Sequence, residues 1–568
     1  MKSVYILLLV WFAAACTSGE SNKIRGFVAD SAMVVSAHPI ASQVGVSILK
    51  KGGNAVDAAI AVQFALTIAF PEAGNIGGGG FMLVRMKDGS TSALDYREKA
   101  PALSSVNMFL DSKGNVIPKL SEAGHLASGI PGSVDGMIEA HKKFGRLPWK
   151  DLVQPAIDLA LSGIALTQHA ANNLNQVQRE LLKYNTIAPN FLIKEWKHGD
   201  TTKWVDLGHT LERIRDYGRA GFYEGKTAED IVAEMKRGGG IITLEDLKNY
   251  KSRWLTPITG QFGEYRIISM PPPSGGGITL IQLMKSVEPY ERMKSWGHNS
   301  AKVIHLITEA ERRAYADRAV YMGDPDFFNV PVKTLLDDQY IDQRMTSFDT
   351  SKATPSSSIK QGKIQGYESP ETTHLSIVDK EGNAVAVTTT LNDWFGSRVI
   401  VAGSGFFLND EMDDFSAKPG VPNMFGVIGG VANSIKPGKT MLSSMAPTII
   451  EKNNELFMVI GSPGGARIPT AVFQTIINVL VFKMSMQEAV DSRRTHSQWW
   501  PDAIYQEPGA LKKLDSLQLV QMGHVVKSIR ELSHEMTMGR VDAILILPDK
   551  KLEGGADRTR RDDAADGY

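Results

Sequence analysis

Strand-like and helix-like segments of this 568-residue chain are grouped rather than strictly alternating, and this grouping constrains its fold more than any other feature. Residues 41–70 are rich in Ala, Val, Ile and Leu at helical spacing, and they predict a buried pair of helices broken at Gly52 and Gly53. Residues 372–390 instead contain two β-rich runs around a turn at 380–383, which is typical of a hairpin. Such grouping favours a layered α+β architecture over a doubly wound parallel sheet.

Further segments repeat this mixture along the chain. The patterns predict strands at 81–85, 92–96 and 541–547, a hairpin at 448–460, and helices at 466–484 and 486–494. A run of four glycines at 77–80 lacks the downstream lysine of a phosphate loop, so we interpret it as a place where backbones pack closely.

Composition limits the class of protein and of partner. Hydrophobic residues make up 43% and charged residues 22% of the chain, which indicates a soluble globular protein with a large core. Sixty-two basic residues balance sixty-two acidic ones, so no overall charge attracts the chain to nucleic acid or to an anionic membrane. The expected partner is a small molecule.

The N-terminus predicts export. Residues 1–15 combine an early lysine with an apolar run too short to span a bilayer, as in a bacterial export signal. Cys16, the chain's only cysteine, follows this run and is a candidate lipid acceptor, with residues 16–25 as a tether. A simple secretory signal that happens to contain a cysteine is the alternative.

No cofactor or metal site is expected. A single cysteine excludes a disulfide within the chain and a metal site built from cysteines, and the twelve histidines show no ligand-like spacing. The signatures of serine hydrolase elbows, zinc proteases and phosphate loops are also absent from the sequence.

Thr372 at the head of the first hairpin strand is the most suggestive candidate for chemistry. If the chain is cut before it, its hydroxyl becomes a nucleophile and its freed α-amine, with a pKa of about 7.7–8.0, becomes the base. A Thr-Thr pair at a strand start is by itself ordinary β-propensity, so the wider context has to decide.

That context resembles the gamma-glutamyltranspeptidase family over residues 26–568. The resemblance rests on these segments: 52–59 (GGNAVDAA), 74–82, 94–101 (LDYREKAP), 372–380, 409–415 (NDEMDDF), 442–445 (LSSM) and 461–465 (GSPGG). It implies the four-layer αββα sandwich of N-terminal nucleophile hydrolases, formed jointly by a large subunit, residues 26–371, and a small catalytic subunit, residues 372–568.

The resemblance also implies roles for individual residues. Cleavage between Glu371 and Thr372 frees the nucleophile Thr372, Thr390 orients it, and the backbone N–H groups of Gly464 and Gly465 form the oxyanion hole. The residues implied to bind the substrate are Arg97, Ser443 and Ser444 for its α-carboxylate and Asn392, Glu411 and Asp414 for its α-ammonium. The implied substrates are glutathione and other γ-glutamyl compounds, with water or an amino acid as acceptor.

The sequence departs from the family pattern at one position, and two alternatives to the implied function remain. Phe425 occupies a lid-loop position where bacterial members often carry tyrosine, so shielding of the substrate from water is in doubt. A glutaryl or cephalosporin acylase would share the fold, although Asp414 speaks against substrates without an α-amine. A non-catalytic lipoprotein that binds γ-glutamyl peptides is the other alternative.

Overall fold

The fold was analysed in a computed structural model, which describes residues 24–290, 293–359, 372–418, 430–531, 537–557 and 562–568. The export signal, most of the tether, Cys16, Glu371 and Phe425 lie outside these residues.

The strands of the described residues form two large sheets and two small ones. In chain order they are β1 (Phe27–Ala29), β2 (Met33–Ser36), β3 (Gly79–Arg85), β4 (Thr91–Asp95), β5 (Ile164–Ala165), β6 (Thr201–Thr202), β7 (Arg253–Leu255), β8 (Ile258–Phe262), β9 (Tyr265–Ser269), β10 (Thr373–Val378), β11 (Ala384–Thr390), β12 (Thr448–Lys452), β13 (Glu455–Gly461), β14 (Thr495–His496), β15 (Ile504–Gln506), β16 (Val526–Ser528), β17 (Asp542–Ile546), β18 (Leu552–Gly555) and β19 (Ala564–Gly567).

The same residues also form α-helices, some of which pack on the large sheets and others on neighbouring helices. They are α1 (Pro39–Lys50), α2 (Ala55–Ala69), α3 (Ser133–Phe144), α4 (Trp149–Ser162), α5 (Gln168–Tyr184), α6 (Val205–Tyr217), α7 (Ala220–Tyr223), α8 (Gly225–Gly238), α9 (Leu244–Asn249), α10 (Gly276–Val287), α11 (Met293–Trp296), α12 (Ala301–Tyr321), α13 (Val332–Leu335), α14 (Asp338–Met345), α15 (Arg467–Leu480), α16 (Met486–Asp491) and α17 (Lys513–Gln521).

Two seven-stranded sheets form the centre of the molecule. Their strand orders are β1-β18-β17-β13-β12-β9-β8 and β19-β2-β10-β11-β3-β4-β7. One hydrophobic cluster joins the second sheet to α1 and α2, and another fills the space between the sheets and extends to α10, α12 and α15. The α+β class and the four-layer αββα arrangement predicted from the sequence are therefore confirmed.

The predicted hairpin is β10 and β11, paired antiparallel with Thr373 opposite Thr389 and Val378 opposite Ala384. Both strands are buried along their whole length. In β11, Val385 and Val387 join the cluster beneath α1 and α2, whereas the intervening alanines join the cluster between the sheets. This two-residue alternation holds the hairpin in a single register.

The predicted helix pair is also present, as α1 and α2, with the break where it was expected. All of α2 is buried, which explains why its sequence is apolar on every side. Asn54 caps its first turn by accepting from the backbone N–H groups of Val56 and Asp57, and Asp57 accepts from Asn54 in return.

The glycine run at 77–80 serves close packing, as predicted. A Cβ atom on Gly77 would lie 2.0 Å from the carbonyl oxygen of Phe407, and one on Gly78 would lie 2.1 Å from that of Thr390. Neither position has room for a side chain, so this turn lies against the strand end that carries Thr390.

Strands from before and after residue 372 are interleaved in both large sheets. In the second sheet β2 lies between β19 and β10, and β11 lies between β10 and β3. In the first sheet β1 pairs with β18, and β9 pairs with β12. A search of the described helices finds none with the length and hydropathy needed to cross a bilayer.

Candidate active site

An open cavity lies at the end of the hairpin that carries Thr372 and Thr390. Most of the residues that the sequence analysis assigned to a site line it. The lining residues are Arg97, Thr372, Thr390, Asn392, Asp414, Ser443, Ser444, Met445, Gly465 and Ile468. These residues come from six separate stretches of the sequence.

Thr372 immediately precedes β10 and is 5% exposed. Continuing the strand register by one residue beyond Thr373 and Thr389 places Thr372 opposite Thr390. The hydroxyl of Thr390 accepts a 2.7 Å hydrogen bond from the backbone N–H of Asn392, which fixes the orientation of that side chain. The two threonines are thus neighbours across the hairpin, on the floor of the cavity.

His374 is the histidine nearest to Thr372 in the sequence, but it is poorly placed to act as a base. Its ring nitrogens lie 2.9 Å from the hydroxyl of Thr388 and 3.1 Å from that of Ser376. Burial lowers the pKa of His374 to about 3, so the ring stays neutral and supports the packing of the sheet. This agrees with the sequence-based inference that Thr372 needs no histidine partner.

Gly464 and Gly465 follow β13 and precede α15, with φ angles of +134° and +55°. Both angles favour glycine. The carbonyl groups of these glycines accept from the backbone N–H groups of Arg467 and Ile468 at 3.0 Å, which ties the turn to the first residues of the helix. Gly465 lines the cavity, and the positive end of the α15 dipole lies beside it.

Arg97 follows β4, and its guanidinium lies close to three carboxyl groups. Its side chain is 1% exposed, and its Nη1 lies 2.6 Å from Oε2 of Glu411 and 3.7 Å from Oε2 of Glu98. Its Nη2 donates to Asp414. One guanidinium therefore faces three carboxyl groups. Arg97 and Asp414, which were expected to bind opposite charges of a substrate, are paired with each other.

Burial shifts the carboxyl groups of this cluster toward their neutral forms. It raises the pKa of Glu98 to about 8 and that of Glu411 well above its usual range, although the positive charge of Arg97 opposes both shifts. The pKa of Asp414 is raised by burial as well, against Arg97 and Arg318. Near neutral pH the cluster therefore holds fewer negative charges than carboxyl groups.

Ser443 and Ser444 lie on a loop that packs against the turn before α10. A Cβ atom on Gly276 would lie 2.2 Å from the carbonyl oxygen of Ser444, so the turn and the loop are in direct backbone contact. Arg318, from the last turn of α12, donates from Nη2 to the hydroxyl of Ser444 at 2.6 Å. A second guanidinium thus lies next to the two serines.

Of the three remaining predicted residues, Asn392 lines the cavity, whereas Glu411 and Gly464 do not. Asn392 lines the cavity with a φ of +82°, and its side chain donates to the carbonyl of Asp410 at 3.1 Å. Glu411 is fully buried behind Arg97 and does not line the cavity. Gly464 is also absent from the lining, one residue away from it.

Sequence reasoning missed three polar neighbours of the site. Glu98 belongs to a segment that carried the family resemblance, but a buried carboxyl beside an arginine has no signal in a single sequence. Arg318 appears within a helical pattern as an ordinary charge, and Asn75 lies just before the glycine run. Asn75 donates from Nδ2 to the carbonyl of Thr390 at 2.9 Å, and so fixes the end of β11.

The structure also brings together a group that sequence spacing did not predict. His305, Glu309 and His524 place three possible metal-ligating atoms within 4.8 Å of one another. Residues so far apart in the sequence cannot be recognised as a cluster from spacing. The two imidazoles hydrogen-bond each other at 2.7 Å, and Glu309 forms ion pairs with Arg312 and Arg313. These contacts account for the cluster as a buried polar network.

Comparison with known proteins gives consistent results. The sequence profile described as "Gamma-glutamyltranspeptidase" matches residues 41–567. A glutathione hydrolase proenzyme of Escherichia coli is 45% identical over 97% of this chain and 94% of its own length. Among solved structures, a Bacillus halodurans cephalosporin acylase superposes with a TM-score of 0.83 over 98% of this chain and 99% of its own, at 26% identity. A Helicobacter pylori gamma-glutamyltranspeptidase chain matches with a TM-score of 0.56 at 46% identity, over 58% of this chain and 94% of its own.

Glu98 provides a test of the buried charge cluster. Its pKa of about 8 in the folded protein exceeds the value of about 4.3 expected in the unfolded chain. Between these values the folded state holds a proton that the unfolded state has lost, so stability falls as the pH rises from about 4.3 to 8. Glu98→Gln cannot ionise, and its loss of unfolding free energy between pH 5 and pH 9 should be smaller by on the order of 1–3 kcal/mol.

Urea unfolding at the two pH values measures this difference. Glu229→Gln, which changes an exposed glutamate on α8, should keep the pH dependence of the unmodified protein. Equal pH dependence in Glu98→Gln and in the unmodified protein would contradict the proposed protonation state.

Proposed function

The chain belongs to the gamma-glutamyltranspeptidase family, and on that premise we propose that it is a glutathione hydrolase and γ-glutamyltransferase whose nucleophile is Thr372. The observation that carries the proposal is the cavity in which Thr372 faces Thr390 across the hairpin, with Gly465 and Arg97 on its walls. A hydroxyl, a glycine turn and buried groups of both charges are what transfer of a zwitterionic acyl group requires.

The first step makes the nucleophile. The hydroxyl oxygen of Thr372 attacks the carbonyl carbon of Glu371, the C–N bond between them breaks, and the hydroxyl proton passes to the departing nitrogen. Water then hydrolyses the resulting ester, which leaves a carboxylate on Glu371 and a free amine and hydroxyl on Thr372. The proposed products are a large subunit, residues 26–371, and a small subunit, residues 372–568, which remain associated.

The second reaction uses the same atoms on a substrate. The α-amine of Thr372 accepts the proton of its own hydroxyl as the oxygen attacks the γ-carbonyl carbon, and it returns the proton to the leaving amine. The N–H groups of Gly464 and Gly465 stabilise the negative oxygen of the intermediate. Water or the amine of an acceptor then attacks the ester, and the γ-glutamyl group leaves Thr372.

Recognition of the substrate is proposed to be an exchange of ion partners. The γ-glutamyl α-carboxylate takes the guanidinium of Arg97 and the hydroxyls of Ser443 and Ser444, while the α-ammonium takes Asp414, Asn392 and Glu411. Arg97 and Asp414 are paired before binding, so a zwitterion replaces one buried ion pair by two. A substrate with the carboxylate alone would leave Asp414 without a cation.

This exchange separates the proposed activity from that of an acylase. The similarity to the cephalosporin acylase is high in shape but 26% in identity, against 46% for the gamma-glutamyltranspeptidase chain. Asp414 lines the cavity with its side chain 16% exposed, and a negative charge there has no role toward an acyl chain that lacks an ammonium group. Both observations support γ-glutamyl compounds as donors.

Export and anchoring are proposed from the sequence alone. Residues 1–15 would be removed as an export signal, and Cys16 would carry the lipid that holds the mature protein at a bacterial membrane, facing the periplasm. Residues 16–25 would then form the tether between the lipid and the folded body, which begins near β1.

Replacing each threonine of the Thr-Thr pair in turn tests the nucleophile. Thr372→Ala should leave one uncleaved chain on a denaturing gel and abolish release of a chromogenic γ-glutamyl anilide, because both the attacking hydroxyl and the cleavage are lost. Thr373→Val is the matched control, since the Thr373 hydroxyl is buried and makes no hydrogen bond among the described residues. It should cleave and retain activity. Cleavage in Thr372→Ala, or an intact chain in active native protein, would refute the mechanism.

Comparison of two anilides tests the role of Asp414. The unmodified protein should hydrolyse the γ-glutamyl anilide faster than the glutaryl anilide, which lacks the α-ammonium. Asp414→Asn should reduce this preference about 10- to 100-fold through loss of the γ-glutamyl rate, because a charge-assisted contact is removed. A preference that is unchanged in the variant, or that favours glutaryl in the unmodified protein, would support the acylase alternative.

The anchor can be tested by cell fractionation. The unmodified protein should sediment with membranes and incorporate labelled palmitate, whereas Cys16→Ser should appear in the soluble periplasmic fraction with its activity intact. An unmodified protein that is soluble and unlabelled would instead indicate a simple secretory signal.

A further inference from the structure

Arg540 is a buried cation that directly contacts the residue proposed as nucleophile. Its Nη2 donates a 3.1 Å hydrogen bond to the backbone carbonyl of Thr372, and the residue is 5% exposed. Its guanidinium lies over the ring of Phe70, 4.8 Å from the centroid. The arginine therefore holds the first residue of the hairpin from the end of α2, which Phe70 follows.

The backbone of the same residue is attached to the glycine turn. The N–H of Arg540 donates to the hydroxyl of Ser462 at 3.1 Å. Gly539 has a φ of +71°, and a Cβ atom there would lie 2.5 Å from that hydroxyl and 2.9 Å from the carbonyl oxygen of Pro463. Arg540 thus links the carbonyl of Thr372 to the strand end that leads into Gly464.

The charge of Arg540 is only partly compensated. Its Nη1 is buried without a hydrogen-bond partner among the described residues. A buried N–H group of a guanidinium that lacks an acceptor is costly, so simple structural support does not explain the choice of arginine here. A neutral donor such as glutamine could supply the hydrogen bond to Thr372.

A positive charge at this place affects the chemistry of the freed amine. An α-amine with a pKa of about 7.7–8.0 is mostly protonated at pH 7 and cannot then accept the hydroxyl proton. Within one residue the amine nitrogen and the carbonyl oxygen lie at most about 3.6 Å apart, so the guanidinium lies roughly 6 Å from the amine. At that distance, a cation in a partly buried site lowers the pKa of an ammonium group by about one to two pH units.

We propose that Arg540 is a positioning residue that fixes the Thr372 carbonyl against the glycine turn and keeps the freed α-amine of Thr372 in its neutral, proton-accepting form. The proposal rests on the proposed function, because it requires Thr372 to be the N-terminal nucleophile. It adds a residue outside the substrate-binding set and assigns it an electrostatic role.

The other charged groups around Thr372 do not take this role. On the cavity side, Arg97 is surrounded by Glu98, Glu411 and Asp414. On the strand side, Asp542 lies near Arg540, and burial together with repulsion from Asp563 raises the pKa of Asp542 well above its usual range, although Arg540 opposes the shift. His374 is neutral, and Arg467 directs its Nε to the carbonyl of Gly464 at 3.3 Å.

The pH dependence of kcat/KM in Arg540 variants tests the inference. With a γ-glutamyl anilide, the acidic limb of the profile reports protonation of the amine in the free enzyme. Arg540→Gln should move this limb to higher pH by about one to two units, so that activity at pH 6 falls about 10- to 100-fold while activity above pH 9 changes little. Arg540→Lys, which retains a cation, should keep the limb near that of the unmodified protein.

Arg530→Gln is the matched control, because it removes an equal charge from an exposed position earlier in the same stretch of chain. Its profile should coincide with that of the unmodified protein. A purely structural role of Arg540 would lower kcat/KM equally at all pH values in the Gln variant, and an acidic limb in the same place would overturn the proposal.

The unmodified enzyme supplies a measurement that does not depend on the folding of a variant. Its acidic limb should lie below about 7, whereas a limb at or above the ordinary amine value of about 7.7–8.0 would overturn the proposal. Failure of the proposed function is distinguishable from this outcome, since an unmodified chain that neither cleaves nor hydrolyses the anilide would yield no profile at all.

Discussion

The antiparallel pairing of β10 with β11 is the interaction on which the rest of the site depends. Both faces of this hairpin are covered, one by α1 and α2 and the other by the first sheet, so a slip of one residue would exchange the two buried faces. The register therefore cannot drift. Because it is fixed by apolar residues along the strands, the position of Thr372 opposite Thr390 is determined by packing rather than by the polar groups themselves.

Charge in the cavity is organised by the same principle of burial. Arg97, Glu98 and Glu411 are almost fully buried and Asp414 is largely so, and burial raises the pKa values of the three carboxyl groups, which therefore tend to retain protons. Removing one partner from such a group leaves another buried charge uncompensated, which makes the set cooperative. In the proposed exchange of ion partners, a ligand with both charges satisfies the set, whereas one with a single charge does not.

The sequence predicted more of the architecture than of the site. The helix pair, the hairpin and the packing role of the glycine run follow from local patterns, since apolar periodicity and turn residues act over a few positions. The residues that line the cavity lie on six stretches of chain, and only resemblance to a family grouped most of them. Arg318 and Arg540 had no signal of their own, because an arginine in a helix or before a strand is normally a surface charge. The contact between His305 and His524 depends on tertiary packing and is likewise invisible in the spacing.

The interleaving of strands in the two large sheets has a consequence for what a break before Thr372 can do. Each product of such a break would pair with strands of the other product in both large sheets, and β2 would be enclosed between β19 and β10 of the other product. Separation would require the pairings β1–β18, β9–β12, β2–β10, β2–β19 and β3–β11 to open together and would leave unpaired strand edges in water. Scission at this point would therefore change the connectivity of a single folded body. It would create two new chain termini and leave the shared sheets in place.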